Sequence, residues 1–166
     1  SVIMEQKKLE DNLEGRWDTT VTGIEAAAKI AATKLYSTPG CNVVTLSFYE
    51  RDAHAFFRCI RRLYQDMPGA TARIHRVKEN EMCVSDGHTG WNELHCLQAK
   101  ERGINVRGVG AQLFLIEADT LHTQTFYEMV APCLDLRGVI TVLVHASPKA
   151  TFRDDIADHG RVSRGT

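Results

Sequence analysis

The sequence has no long apolar run, no CxxC pair and no excess of charge of one sign, and each absence excludes a class of protein. A membrane-spanning helix needs about 18 or more consecutive apolar residues, so none is predicted, and the first residues carry no apolar segment typical of a signal peptide. The formal net charge of −1 gives no bulk basic charge for nucleic-acid binding. We therefore expect no membrane contact, and any contact with DNA requires a local basic patch.

The cysteines are few and scattered, at Cys41, Cys59, Cys83, Cys96 and Cys133. An odd number without close pairs predicts free thiols in a reducing, intracellular compartment. Zinc is not expected, because no CxxC or HxxxH spacing occurs among the clustered candidates His75, Cys83, His88, His95 and Cys96.

What the sequence does contain is enough apolar material for one folded domain. Its 166 residues are 43% hydrophobic and 25% charged, as is typical of globular proteins. The composition predicts a polar lead-in over residues 1–14, one domain over 15–150 and a polar tail over 151–166.

Helical and strand patterns alternate along the domain. Apolar residues at helical spacing predict three helices, over 24–35, 50–67 and 126–134. Short β-branched or apolar runs predict strands over 41–48, 113–117 and 139–144, with a hairpin over 72–84 and a further strand over 91–99. This order predicts an α/β domain with a mainly parallel sheet and a small β insert.

The stretch Leu113–Asp119 is the centre of this pattern. Four consecutive apolar residues predict a strand that is buried on both faces, and Glu117, Ala118 and Asp119 follow at its carboxyl end. Open α/β sheets bind their ligands at that end. The sequence therefore predicts a functional site around these acids.

The elements around this strand resemble the ATPase domain of large terminase subunits, the viral motors that package DNA into capsids in tailed phages and herpesviruses. The resemblance rests on Arg107-Gly108, the Leu-Phe-Leu-Ile-Glu strand four residues later, the helix after it and the Val-Ile-Thr-Val-Leu-Val strand, which ends in a small polar turn. The strand over 41–48, its following helix and the polar segment 86–108 extend the resemblance to residues 15–150. It implies a three-layer P-loop NTPase fold of the ASCE type, with ATP and Mg²⁺ as ligands.

The resemblance also implies a set of site residues, several of which depart from the family pattern. Arg16–Thr20 stand at the phosphate loop, with Asp18 in place of glycine and Thr19 in place of lysine. Ala118 stands in place of the acid that positions water. The candidates carried over for nucleotide binding are Arg16, Thr19, Thr20, Glu117 and Ser147. Those for Mg²⁺ are Thr20 and Glu117, and those for catalysis are Glu117 and Asp119.

Several of these residues have a second interpretation. A register shift of one residue would make Glu117 the water-positioning acid, and Asp119 could turn back toward the site. Glu117 could instead be a solvated acid that caps the next helix, as Asp119 or Thr120 could. Arg16 is either a phosphate or trans-acting contact or an exposed surface arginine. Arg107 is either an interface or sensor arginine or a loop charge.

Three further patterns point less directly to function. Asp86-Gly87-His88 with Cys96 has the residue types of a Cys/His nucleophile, although nothing in the sequence brings them together. Gly108-Val109-Gly110 precedes a strand, so it lacks the context of a dinucleotide fingerprint. A basic helix face is either solvated or a contact for DNA phosphates or an acidic partner, and it comprises Arg58, Arg61 and Arg62.

Three hypotheses follow from the sequence. The first is a diverged, catalytically inactive terminase-like domain in the host cytoplasm or nucleus. Its partners would be viral packaging or capsid proteins, double-stranded DNA and other copies of the chain. The second is an active packaging ATPase with an atypical site. The third is an unrelated α/β binding module.

Overall fold

The fold is a single seven-stranded sheet with helices packed on it, seen in a computed structural model that describes residues 15–99 and 110–146. The strands are β1 (Thr19–Thr22), β2 (Val43–Ser47), β3 (Ile74–Lys78), β4 (Glu81–Ser85), β5 (Trp91–Gln98), β6 (Leu113–Glu117) and β7 (Ile140–His145). The helices are α1 (Ile24–Ser37), α2 (Glu50–Gln65), α3 (Ala70–Arg73) and α4 (Gln124–Met129), with 3₁₀ turns at Ala118–Thr120 and Ala131–Cys133.

The strand order is β1-β7-β6-β2-β5-β4-β3, and the first five strands in this order run parallel. The predicted central strand, β6, lies between β7 and β2, and all five of its residues are buried. The carboxyl ends of β1, β7, β6, β2 and β5 therefore meet at one edge of the sheet, which we call the carboxyl edge.

Two hydrophobic clusters complete the three layers. Helices α1 and α2 bury alanines and aromatic side chains in one cluster with alternate residues of the strands, among them Leu113 and Leu115. The other residues of β6, Phe114 and Ile116, join Phe126 of α4 in the second cluster. The predicted three-layer α/β fold is confirmed, since both faces of the central strand are covered.

A buried asparagine joins α1 to the sheet. The Asn92 side-chain amide in β5 donates to the carbonyl oxygens of Leu35 (3.1 Å) and Thr38 (2.8 Å) at the end of α1. Its Oδ1 accepts from the Cys41 backbone N–H at 2.9 Å. One fully buried side chain therefore fixes the connection from α1 to β2.

Three details differ from the prediction. The stretch Arg16–Thr20, predicted as a phosphate loop, runs into strand β1, which begins at Thr19. The β insert is part of the main sheet, because β5 pairs in parallel with β2 and the β3–β4 hairpin extends the same sheet. Helix α4 ends at Met129, since Pro132 follows and a 3₁₀ turn replaces the last predicted turn.

Some predicted features lie outside the described residues, namely the lead-in over 1–14, Arg107-Gly108, most of Gly108-Val109-Gly110, Ser147 and the tail over 151–166. In the ranges 15–99 and 110–146, no helix combines the length and apolar character needed to cross a membrane.

Candidate functional site

The carboxyl edge contains two buried acids at the end of β6. Glu117 is 5% exposed and Asp119 is fully buried, and Ala118 between them is also buried. The backbone here forms a tight turn, in which the Thr120 hydroxyl donates to the Glu117 carbonyl oxygen at 2.7 Å. The predicted position of Glu117 at the carboxyl end of the central strand is therefore what the structure has, and the solvated-acid interpretation is wrong.

The cap of the next helix is a threonine three residues further along the chain. The Thr123 hydroxyl accepts from the Phe126 backbone N–H at 3.2 Å and donates to the Thr120 carbonyl oxygen at 2.6 Å. The interpretation of Asp119 or Thr120 as the cap of this helix is thus corrected to Thr123. Asp119 lies inside the 3₁₀ turn, directly after the strand end.

Aromatic side chains follow the neighbouring strand at the same edge. Phe48, directly after β2, stacks on His122 with ring centroids 5.4 Å apart and planes inclined by 24°. It also contacts Tyr49 edge-on at 5.2 Å, and the Arg51 guanidinium lies 4.9 Å from the Tyr49 ring centroid. The segments after β2 and β6 are therefore joined by packed rings beside the two acids.

The junction between β1 and α1 is a single residue, Gly23. Strand β1 ends at Thr22 and helix α1 begins at Ile24. Gly23 has φ 86° and ψ 149°, a backbone conformation essentially restricted to glycine, and its N–H donates to the His145 carbonyl oxygen of β7 at 2.8 Å. The sequence prediction missed this junction, although a β-branched Thr-Thr-Val-Thr run followed by glycine and an alanine-rich helix signals it.

The structure does not bring Arg16, Thr19 and Thr20 together with Glu117. Thr20 pairs with Leu143 of β7, and Leu143 pairs with Ile116, so β7 lies between Thr20 and β6. Two strand spacings amount to about 10 Å, whereas two oxygen ligands of one Mg²⁺ lie within about 4 Å of each other. Arg16 is at the opposite edge of the sheet, where it forms an exposed ion pair with Asp135 at 3.4 Å.

Hydrogen bonds to Asp18 connect the start of β1 to the start of β7. Its Oδ2 accepts from the Thr141 backbone N–H at 2.8 Å and from the Thr141 hydroxyl at 3.3 Å, and Thr141 is fully buried. Asp18 was predicted at a glycine position of the phosphate loop, and its contacts instead support the sheet.

We expect Asp18→Ala to lower the free energy of unfolding by about 1.5–3 kcal/mol, because a buried N–H loses its charged acceptor. Urea denaturation measures this value. Asp18→Asn keeps an acceptor oxygen and should lose less, and Thr22→Ala, on the exposed end of the same strand, should change it by about 0.5 kcal/mol or less. Equal stability of Asp18→Ala and Thr22→Ala would contradict the assignment.

The residues at the carboxyl edge do not fit ATP and Mg²⁺ in the manner that the resemblance implied. The strand-to-helix junction has no loop, no lysine stands between Gly15 and Ala28, and Glu25 is in the first turn of α1. Across the two described ranges, no group of three or more His, Cys, Asp or Glu side chains is arranged to hold a metal ion.

The remaining sequence candidates are separated or unreactive. Burial raises the pKa of the Cys96 thiol to about 12, so it is protonated at neutral pH and does not act as a nucleophile. His88 is exposed in the turn before β5, whereas Cys96 is near the far end of that strand. Of the basic face on α2, Arg58 and Arg62 are exposed and Arg61 is partly buried.

The described residues form an α/β fold that is similar to that of large terminases of known structure. The large terminase ATPase domain of Thermus phage P74-26 superposes with a TM-score of 0.63 at 14% sequence identity, over 81% of this chain and 61% of that domain. The large terminase of bacteriophage HK97 superposes with a TM-score of 0.62 at 11% identity, over 86% of this chain and 33% of that protein.

The chain thus has the fold of large terminase ATPase domains, and it spans less than two thirds of either protein's length. No protein-family model and no curated protein matches its sequence. At identities of 14% and below, the likeness shows a shared fold.

Proposed function

We propose that the chain is a terminase-like ATPase-fold domain that serves as a structural or regulatory component of viral DNA packaging or capsid assembly. The observation that carries this proposal is the terminase fold with Ala118 directly after the acid of the central strand. A methyl group neither orients nor deprotonates water, and a general base contributes about 10²–10⁴-fold to a rate.

The environment proposed for this role is the reducing cytoplasm or nucleus of the host. Its partners would be the packaging and capsid proteins encoded in the same genome, together with other copies of the chain. Double-stranded DNA would contact the exposed basic face of α2, because Arg58 and Arg62 lie within one helical turn of each other there.

The purified chain is expected to release phosphate from ATP no faster than a protein-free blank, with and without duplex DNA and the packaging proteins. Glu117→Ala should give the same rate, since no hydrolytic step depends on this acid. Glu128→Ala, an exposed acid on α4, is the matched control. Turnover that disappears in Glu117→Ala and persists in Glu128→Ala would overturn the proposal.

A working ATPase with an atypical site is the second candidate. The observation that favours it is Asp119, which is buried two residues after Glu117 and is the nearest acid in sequence that could take the place of the missing one. Such an enzyme would bind Mg²⁺ through Glu117, because Thr20 lies two strands away. It would also need a cation from a neighbouring subunit, because Arg16 lies at the opposite edge of the sheet. The same assay separates it from the first candidate, because only this one predicts turnover that depends on Glu117.

A further inference from the structure

We propose that the carboxyl edge holds no nucleotide because the connection that would form its phosphate loop is closed at Gly23. This inference deepens the proposed function and rests on it for the role of the domain. It assigns the loss of the nucleotide site to the backbone rather than to the altered side chains.

A phosphate loop requires a length of free backbone between a strand and a helix. In the pattern GxxxxGK[ST], several successive N–H groups between the strand and the helix point at the phosphates, and the helix begins near the lysine. Here the strand ends at Thr22 and the helix begins at Ile24. A single residue cannot form the concave turn that surrounds a phosphate group.

The N–H group of that one residue is already used. Thr22 pairs with His145 in the parallel ladder between β1 and β7, and the Gly23 N–H continues the ladder with a 2.8 Å hydrogen bond to the His145 carbonyl oxygen. A phosphate oxygen at this position would have to displace a backbone hydrogen bond of the sheet.

The side chains at the start of α1 also disfavour an anion. By position, Gly23-Ile24-Glu25 stand where the glycine, lysine and hydroxyl residue of a phosphate loop would be. Ile24 packs against the hydrophobic cluster, and Glu25 lies 3.6 Å from Arg62 of α2. A carboxylate already interacts favourably with the positive end of this helix, so a phosphate there would meet a like charge.

The closed backbone and the altered side chains are two separate causes of lost nucleotide binding. They can be distinguished, because the lysine and hydroxyl side chains can be restored without lengthening the junction. The double variant Ile24→Lys with Glu25→Thr regains the lysine and the hydroxyl and leaves the junction at one residue. If the closed backbone is the obstacle, this variant still does not bind. If the side chains are the obstacle, it gains binding that requires Mg²⁺.

The experiment is calorimetric titration of the full chain with ATP to about 1 mM, with and without Mg²⁺, for the natural sequence, the double variant and Glu25→Thr alone. We expect no saturable heat in any of the three. Because Ile24 is partly buried, thermal unfolding verifies that the double variant is folded. Hydrogen exchange of the Gly23 amide should be slow and should not change when ATP is added.

Saturable Mg²⁺-dependent binding by the natural sequence, with altered exchange at Gly23, would overturn the inference, as would binding gained by the folded double variant. Binding without turnover would overturn this inference and leave the proposed function standing. Turnover that depends on Glu117 would overturn both, so the two failures are distinguishable. If the double variant does not fold, Glu25→Thr takes its place, because the Glu25 side chain is exposed, and Mg²⁺-dependent binding gained by it would overturn the inference.

Discussion

Asn92→Ala is expected to lower the free energy of unfolding by about 3–5 kcal/mol, because three backbone groups, two of them in buried hydrogen bonds, lose their partners at once. The side chain accepts from Cys41 and donates to Leu35 and Thr38, at distances of 2.8–3.1 Å, and it is fully buried. Alanine reaches none of these groups, and the cavity that it leaves adds to the loss. Hydrogen exchange at the end of α1 should therefore accelerate along with global unfolding.

The measurement is the urea midpoint and slope of the variant, which together give the free energy of unfolding. Asn42→Ala is the matched control, since its Oδ1 accepts a single hydrogen bond, from the Glu93 backbone N–H at 3.0 Å, and the site is only partly buried. We expect about 1 kcal/mol there. A loss at Asn92 no larger than at Asn42 would show that the three contacts do not act together.

Phe114→Ala is expected to cost a similar amount, about 3–5 kcal/mol, for a different reason. Phe114 is 2% exposed on the central strand, in the cluster that holds α4 to the sheet with Ile116 and Phe126. Removing its ring leaves a cavity between the sheet and α4. Strand pairing on both sides of β6 holds the sheet backbone in place. The surrounding residues can therefore collapse only partly into it.

Thermal and urea unfolding of Phe114→Ala test this prediction. Leu136→Ala serves as the control, because Leu136 is 55% exposed and its truncation should change stability by about 0.5 kcal/mol or less. If the two truncations cost the same, the second cluster does not hold α4 to the sheet as the structure indicates.

The sequence was sufficient to predict the buried parts of this fold. Four apolar residues in a row identified β6 as a central strand, and the apolar stripe of α2 identified that helix almost to its ends. Both signals are local, since the pattern of apolar residues within one short segment indicates whether a strand is buried on two faces or a helix on one. The alternating order of these elements then predicted the α/β class.

The edge strand β1 was missed because its evidence is not local. Thr19–Thr22 has one apolar residue and is largely exposed, so it lacks the pattern of a buried strand. Its partner, β7, begins more than a hundred residues later, as the 123-residue separation of Asp18 and Thr141 shows. The hydroxyl-rich composition of this segment favoured its interpretation as a phosphate loop, whereas its pairing with β7 makes it a strand.

The candidate site was predictable in one half only. The position of Glu117 could be predicted because it ends a recognisable strand. The position of the phosphate loop depends instead on where β1 ends and α1 begins. Residue types at Arg16–Thr20 do not contain that information. A shift of the boundary by three residues moves the expected loop from Thr20 to Gly23 and reduces it to a single residue.

The pairing of β1 with β7 has a consequence for biosynthesis. At about 5–20 residues per second, a ribosome needs on the order of 6–25 s to pass from Asp18 to Thr141, which are 123 residues apart. During that time β1 cannot form the ladder that it has in the finished domain. The nascent chain therefore presents an unpaired β-branched segment and the apolar face of α1 to its surroundings. A chaperone or an assembly partner that binds early would meet β1 and α1 before β7 is available to pair with β1.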